Sequence, residues 1–261
     1  MTADGQVTEY PITPGAFAAQ LTVGPDGAVW FSEQSANKVG KVTMAGEVTE
    51  YELATADSLP GPLASAGGAI YFATRNANTI VRMTTAGAVS GTYAIPTENA
   101  NTLGLIAGPD GALYLTEADG VRRMTLDGQF GRRYRVPGAY LVDSLTAGPD
   151  GALWFLRSSD AIVGRIDIGF EPPVVANGTT FTMRAGRDAE RTVATFTGGA
   201  RDYQATIKWG DRTTSAGWVR RTADGSFEVR GEHRYAKAGT YDVVVKIGDD
   251  AKVTSQAVVT R

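Results

Sequence analysis

The chain opens as a series of short apolar segments, each closed by a turn rich in glycine. Gln20-Leu21-Thr22-Val23 reads as a short strand. Gly24-Pro25-Asp26-Gly27 then supplies a tight turn, with proline presetting φ and glycine taking positive φ. Residues 28–32 are apolar on both alternating sets of positions, which predicts a strand covered on both faces. Residues 37–43 predict a third strand, and Ala45-Gly46 turns into a fourth over residues 47–51. Beyond Pro172-Pro173 the pattern becomes a clean alternation at residues 191–196, 203–209 and 239–247, as expected of strands with one buried face.

The first pattern repeats. Gly-Pro-Asp-Gly-Ala recurs at Gly24 to Ala28, Gly108 to Ala112 and Gly148 to Ala152, with a degenerate copy at Gly67-Gly68-Ala69. Each copy leads into an aromatic, and Trp30, Tyr71, Tyr114 and Trp154 are 41, 43 and 40 residues apart. A period near forty built from four short strands is the signature of a β-propeller blade. The four aromatics are expected to pack between blades, each contributing roughly 1.5–3 kcal/mol by burial.

The ends of the repeat are irregular. Met1 to Tyr10 aligns with the segments after Met83 and Met124, so the chain starts where a third strand ends. The last blade, finishing near Ile168, has no fourth strand of its own. In one reading residues 7–12 supply that strand and close a four-bladed ring. In the other, which is preferred, the blades are part of a longer propeller. An open arc would expose two apolar blade faces, and two such arcs would pair as a homodimer.

Composition narrows the function classes. Hydrophobic content of 43% and charge of 20% are ordinary for a globular protein, and no apolar run is long enough for a membrane helix. Residues 1–170 carry 11 Lys/Arg against 17 Asp/Glu (−6), and residues 171–261 carry 14 against 11 (+3). Neither half has the basic, aromatic-interleaved stripe of a nucleic-acid binder. Without cysteine there are no disulfides, thiolate nucleophiles or Cys-ligated zinc. The N-terminus lacks a signal peptide, an observation that carries no weight if blades are missing before it.

The repeat Gly-Pro-Asp-Gly-Ala-Val-Trp-Phe-Ser-Glu followed by Asn-Lys-Val-Gly-Lys-Val-Thr resembles the virginiamycin B lyase (streptogramin lyase) family over residues 1–168. The resemblance implies a propeller that opens a depsipeptide ring by elimination, with magnesium and histidines on one face. The positions matching those histidines are Ala19, Gly61, Leu103 and Asp143, and none is histidine. Elimination needs a base near neutral pH, so the lyase chemistry is not expected of these residues. Glu33 and Glu117 match the family's Trp-Phe-Thr-Glu glutamate, while Thr74 and Arg157 replace it in the other copies. With Asp143, the residues Glu33, Glu117 and Arg157 are the candidate ligand-binding set at an acidic propeller mouth. The competing reading makes the glutamates rim carboxylates that serve the repeat.

After the linker at residues 170–173, Ile207-Lys208-Trp209-Gly210-Asp211 and His233-Arg234-Tyr235 resemble the polycystic-kidney-disease-type (PKD) immunoglobulin-like module. That resemblance covers residues 174–261 and gives His233 a structural role beside Trp209 and Asp211 a turn role; Asp249-Asp250 would be at most a weak calcium contact. The expected architecture is all-β: a four-bladed or partial propeller over residues 1–169, then a small β-sandwich. The expected function is a secreted or cell-surface binding or scaffold protein for a peptide or glycan. No cofactor and no metal are expected outside the alternative reading, a carbon–oxygen lyase using magnesium.

Overall fold

The computed structural model describes residues 5, 7–138, 141–199 and 202–261. The alignment of residues 1–4 and 6 with a third-strand end lies outside the described residues. The chain divides into two compact units, Met1–Gly148 with Ala152–Ile168, and Pro149–Gly151 with Gly169–Arg261. Strands dominate both, and the helical element among the described residues is a single 3₁₀ turn at Ser158–Asp160.

The first unit is a four-blade propeller arrangement. Blade 1 comprises β1 (Ala18–Val23), β2 (Val29–Glu33), β3 (Lys38–Val42) and β4 (Val48–Glu52), paired antiparallel in that order. Blade 2 repeats it with β5 (Pro60–Ala66), β6 (Ala69–Thr74), β7 (Thr79–Met83) and β8 (Val89–Ala94). Blade 3 is β9 (Leu105–Ala107), β10 (Leu113–Glu117), β11 (Gly120–Met124) and β12 (Phe130–Arg135). Blade 4 has three strands, β13 (Ser144–Ala147), β14 (Leu153–Arg157) and β15 (Ile162–Ile166). Residues 7–12, the proposed closing strand, form no strand.

The turn motif does more than reverse the chain. Asp26 accepts hydrogen bonds from the Ala28 amide at 3.3 Å and from the Trp30 indole at 3.0 Å, and Lys41 reaches it at 3.0 Å. Asp110 does the same for Ala112, Tyr114 and Arg123. Burial works against ionisation of both, yet these donors hold the two carboxyls below their usual range. One aspartate thus ties the turn, the central strand's aromatic and the third strand's cation together.

Blades pack face to face. Trp30, Val39 and Tyr51 of blade 1 meet Ile70, Phe72 and Val81 of blade 2. Tyr71 and Ile80 meet Leu113 and Leu115, and Tyr114 and Val121 meet Leu153 and Phe155. Trp30, Tyr71 and Tyr114 are 0–1% exposed, as the burial reading requires. Trp154 departs from it at 36%, on the last of the four blades among the described residues.

In the second unit, β16 (Val175–Gly178), β17 (Thr180–Arg184), β18 (Ala189–Thr197), β19 (Ala205–Lys208), β20 (Thr214–Arg221), β21 (Phe227–His233), β22 (Gly239–Ile247) and β23 (Ala251–Thr260) form one eight-stranded sheet. Its order is β16-β18-β21-β20-β19-β22-β23-β17, antiparallel except for the β17–β23 pair. The edges approach each other: Thr179 donates its amide to Ser255 Oγ at 3.0 Å, and the Ser255 hydroxyl donates to the Val193 carbonyl. The nearly closed sheet wraps Phe196, Ile207, Trp209, Tyr235 and Val245. Alternation predicts β18, β19 and β22; the other five strands carry more polar or shorter patterns.

Candidate functional site

The innermost strands of the blades, β1, β5, β9 and β13, line a cavity of about 590 Å³. Its wall mixes Gln20, Thr22, Ser65 and Ser144 with Leu63 and Leu105. Gln20 spans to blade 3, donating from Nε2 to the Leu103 carbonyl at 2.9 Å. Two of the four positions matched to the family's histidines, Ala19 in β1 and Gly61 in β5, lie on these inner strands. Leu103 and Asp143 lie just before β9 and β13. Gln20 and Ser144 were not among the predicted site residues; the polar positions of otherwise apolar inner strands are the signal for them.

The predicted residues lie elsewhere. Glu33 and Glu117 end the second strands of blades 1 and 3 and are fully buried. Glu117 is enclosed by cations: Arg122 Nε is 2.5 Å from Oε1 and Arg133 Nε 2.6 Å from Oε2, and Thr97 donates its hydroxyl at 3.0 Å. Arg133 also pairs with Asp119. The arrangement follows from register, since Leu115, Arg122 and Arg133 stand opposite one another on β10, β11 and β12.

Glu33 has a different shell. Neither of its oxygens has a hydrogen-bond partner among the described residues. The neighbouring carboxylate, Glu50, takes the donors: Thr13 amide at 2.8 Å, Thr13 hydroxyl at 2.6 Å and Lys38 at 2.9 Å. Those bonds, from the Thr13 hydroxyl first and Lys38 next, bring the Glu50 carboxyl down to about 2. Burial, reinforced by the Glu50 charge, pushes Glu33 above its usual range.

Asp143 accepts from the Ser158 amide at 2.5 Å and hydroxyl at 2.6 Å, and the hydroxyl and amide together lower its carboxyl. Arg157 is buried, donating to the Pro137 carbonyl at 3.2 Å and pairing with Asp160. No hydrogen bond or ion pair joins Glu33, Glu117, Asp143 and Arg157 to one another among the described residues. Thr74, at the matching position of blade 2, shares a 2.6 Å hydrogen bond with the Thr79 hydroxyl.

A magnesium ion would need several oxygens free to converge. Here Glu117 is committed to two arginines, Asp143 to Ser158, and Glu50 to Thr13 and Lys38, so this donor set does not fit the ion. No cluster of three or more His, Asp or Glu suited to a metal occurs among the described residues.

In the second unit, His233 Nε2 lies 2.8 Å from Asp211 Oδ2, and its ring stacks on Trp209 at 4.5 Å. Asp211 also accepts from the Thr213 amide at 3.1 Å and from its hydroxyl at 2.5 Å. Asp249 is exposed and pairs with Lys246 at 2.7 Å.

Comparison with known families matches residues 1–91 and 63–173 to the virginiamycin B lyase family. The chain belongs to that family. Among solved structures, virginiamycin B lyase from Staphylococcus aureus is 25% identical over 97% of this chain and 85% of that one, with a TM-score of 0.58. A catalytically inactive variant of that enzyme, solved with Quinupristin, matches at 25% identity over the same shares and a TM-score of 0.57. A streptogramin B lyase structure, 24% identical over 94% of this chain and 85% of that one, shares the fold with a TM-score of 0.57. None of the curated proteins matches the sequence.

Proposed function

We propose that this family member works as a secreted or cell-surface binding module, its propeller holding a polar peptide or glycan segment at the axial cavity. The observation that carries the reading is the distribution of acid–base groups. The single histidine, His233, lies in the second unit and is tied to Asp211. Within the propeller, Glu117 is neutralised by two arginines and Asp143 is taken by Ser158. The oxygens of Glu117 and Asp143 are thus occupied by donors and His233 stands outside the propeller, whereas Gln20, Ser65 and Ser144 on the cavity wall suit hydrogen bonding to a neutral polar chain.

Residues 174–261 are read as a PKD-type immunoglobulin-like spacer. The Trp209–His233 stack and the Asp211 turn bonds support that reading, since they give both motif residues structural work.

Family membership favours a second reading, a carbon–oxygen lyase in which Glu33 serves as the base, a buried carboxyl that burial and the Glu50 charge raise above its usual range. Incubation with Quinupristin and magnesium, followed by mass spectrometry, separates the two. The binding reading expects an intact ring. Ring-opened product that disappears with Glu33→Gln would establish the lyase instead. Binding itself is measured by titrating peptide and glycan libraries and repeating the hits with Gln20→Ala, expected to weaken them about tenfold, the loss of one or two hydrogen bonds.

A further inference from the structure

Blades 1, 2 and 3 share one plan where the second, third and fourth strands meet, and blade 2 leaves a gap in it. In blade 3, Glu117 on β10, Arg122 on β11 and Arg133 on β12 come together, and the Thr97 hydroxyl binds both Glu117 and Arg122 at 3.0 Å. In blade 1 the ring of Phe31 lies over Gly40, and Glu50, opposite Gly40, binds Lys38 and Thr13. Register gives the blade 2 equivalents of Glu117, Arg122 and Arg133 as Thr74, Val81 and Thr92. Three short uncharged side chains stand where blade 3 has three long charged ones.

The result is a second cavity in the propeller unit, of about 410 Å³. Phe72, Thr74 and Val81, all buried, line it from blade 2, and Leu53, Thr55 and Ser58 line it from the segment between β4 and β5. None of the described residues that line it is charged. Its buried hydroxyls are already matched: Thr74 shares a 2.6 Å hydrogen bond with Thr79, and Ser58 donates its hydroxyl to Asn37 Oδ1 at 2.6 Å. Asn37 also donates to the Leu53 carbonyl at 3.2 Å and the Thr55 carbonyl at 2.8 Å, so this wall is fixed before any ligand arrives. Thr55 is the counterpart of Thr97, since each offers its carbonyl to the equivalent asparagine, Asn37 or Asn78. Its hydroxyl faces no carboxylate–guanidinium pair of the kind that engages Thr97.

We propose that this pocket binds a small, flat, uncharged molecule that is chiefly apolar and carries one N–H or O–H group. Flatness follows from the neighbouring blades, where the equivalent space takes the Phe31 ring or the Arg122 guanidinium, both planar. Neutrality follows from the lining, because an ion entering here would lose hydration and meet no opposite charge. The volume lies within the range of small-molecule sites, and Leu53, Phe72 and Val81 supply the apolar contact that such sites use. The ligand's N–H or O–H is bonded by the Thr55 hydroxyl, as Arg122 is bonded by Thr97 in blade 3. This site shares no lining residue with the axial cavity, and it stands independently of the function proposed for that cavity.

Indole is a suitable probe, and its carboxylate derivative is the charged control. Titrated into the full chain with labelled methyl groups, indole should shift the Leu53 and Val81 resonances with a Kd of about 1 mM or tighter. Leu105, in the axial cavity, should not respond. The carboxylate should bind at least about tenfold more weakly. Thr55→Val keeps the shape of the wall and should weaken indole about fivefold, the loss of one hydrogen bond. Combining Thr74→Glu, Val81→Arg and Thr92→Arg installs the blade 3 cage and should abolish the Leu53 shift. If that variant does not fold, Thr92→Trp, at an exposed position of the rim, should block the same space. No binding by the wild type, a response at Leu105 in place of Val81, equal affinity for the carboxylate, or undiminished binding in the folded filled variant would each overturn the proposal.

Discussion

Glu33 and Glu117 occupy the same position in blades 1 and 3, both fully buried, yet their surroundings are nearly opposite. Around Glu117, Leu115 is small enough to leave room for Arg122, and Arg133 completes the cage. In blade 1 the equivalent of Leu115 is Phe31, whose ring lies over Gly40 so closely that no side chain fits there. The position equivalent to Arg133 is Glu50, an acid rather than a cation. The repeat therefore fixes where the carboxylate goes, and the cross-strand neighbours decide whether it is paired. Burial of an ionisable group is a property of the blade; its pairing is a property of three residues that the repeat does not constrain.

The sharpest way to break this comparison is at blade 3. Glu117→Leu leaves two partly buried guanidinium groups facing each other, and loss of one partner of a buried pair costs about 3 kcal/mol. The urea midpoint of the propeller transition should fall accordingly. Replacing Glu117, Arg122 and Arg133 together by apolar residues should recover most of the loss, because no uncompensated charge remains. If the single and triple variants were equally destabilised, packing rather than charge would explain the site.

Much of the propeller was legible because its signals are local. The Gly-Pro-Asp-Gly turn, the aromatic that follows and the third-strand valine lie within some fifteen residues of one another. The pairing of Glu117 with Arg133 was not legible, since it depends on β11–β12 register across a turn. Nor was the contrast between Trp30 and Trp154, which share a sequence context and differ in burial. Asn37, which the pattern puts at the head of the third strand, lies just before β3, as Asn78 lies just before β7. Each is a left-handed hub, with φ near 53° and 51°, that bonds the crossing segment to the next blade. In the second unit, His233 beside Trp209 was readable from its motif, but the approach of Ser255 to Thr179 and Val193 joins residues more than sixty positions apart.

These hubs extend the comparison of blades at a smaller scale. Asn78 donates to the Ile95 carbonyl at 3.2 Å and the Thr97 carbonyl at 2.9 Å, and accepts from the Ala100 amide at 3.1 Å. Blade 3 shares with blade 2 the backbone bond at this point, Val136 amide to Asp119 carbonyl at 2.9 Å against Ile95 amide to Asn78 carbonyl at 2.9 Å, and that bond survives side-chain truncation in both. Asn78→Ala should cost about 2 kcal/mol, from lost hydrogen bonds and the left-handed backbone that alanine resists. Asp119→Ala should cost less than about 1 kcal/mol, because the ion pair it removes is partly exposed. Equal losses in denaturant titrations would mean that the hub's side-chain bonds are not what joins these blades.

The smallest and most diagnostic effect is expected at Glu33. Its carboxyl is raised by burial and by Glu50, so the folded state binds the proton more tightly than the unfolded chain. The sign follows directly. Below the ordinary glutamate value both states are protonated and the group is neutral to stability. As pH rises past that value, the folded protein must ionise a buried carboxyl without hydrogen-bond partners, and stability declines until the raised folded value is passed. Glu50 has the opposite sign, its contribution being present above about 4.5 and lost as pH falls towards about 2. Glu33→Gln removes the first effect and keeps the second. The variant should therefore match wild type near pH 4 and exceed it at neutral pH by about 1 kcal/mol. Paired denaturation curves from pH 4 to 8 measure the difference directly. A gap that stays constant with pH would show that Glu33 is not ionising inside blade 1, and that the contrast with Glu117 lies in packing alone.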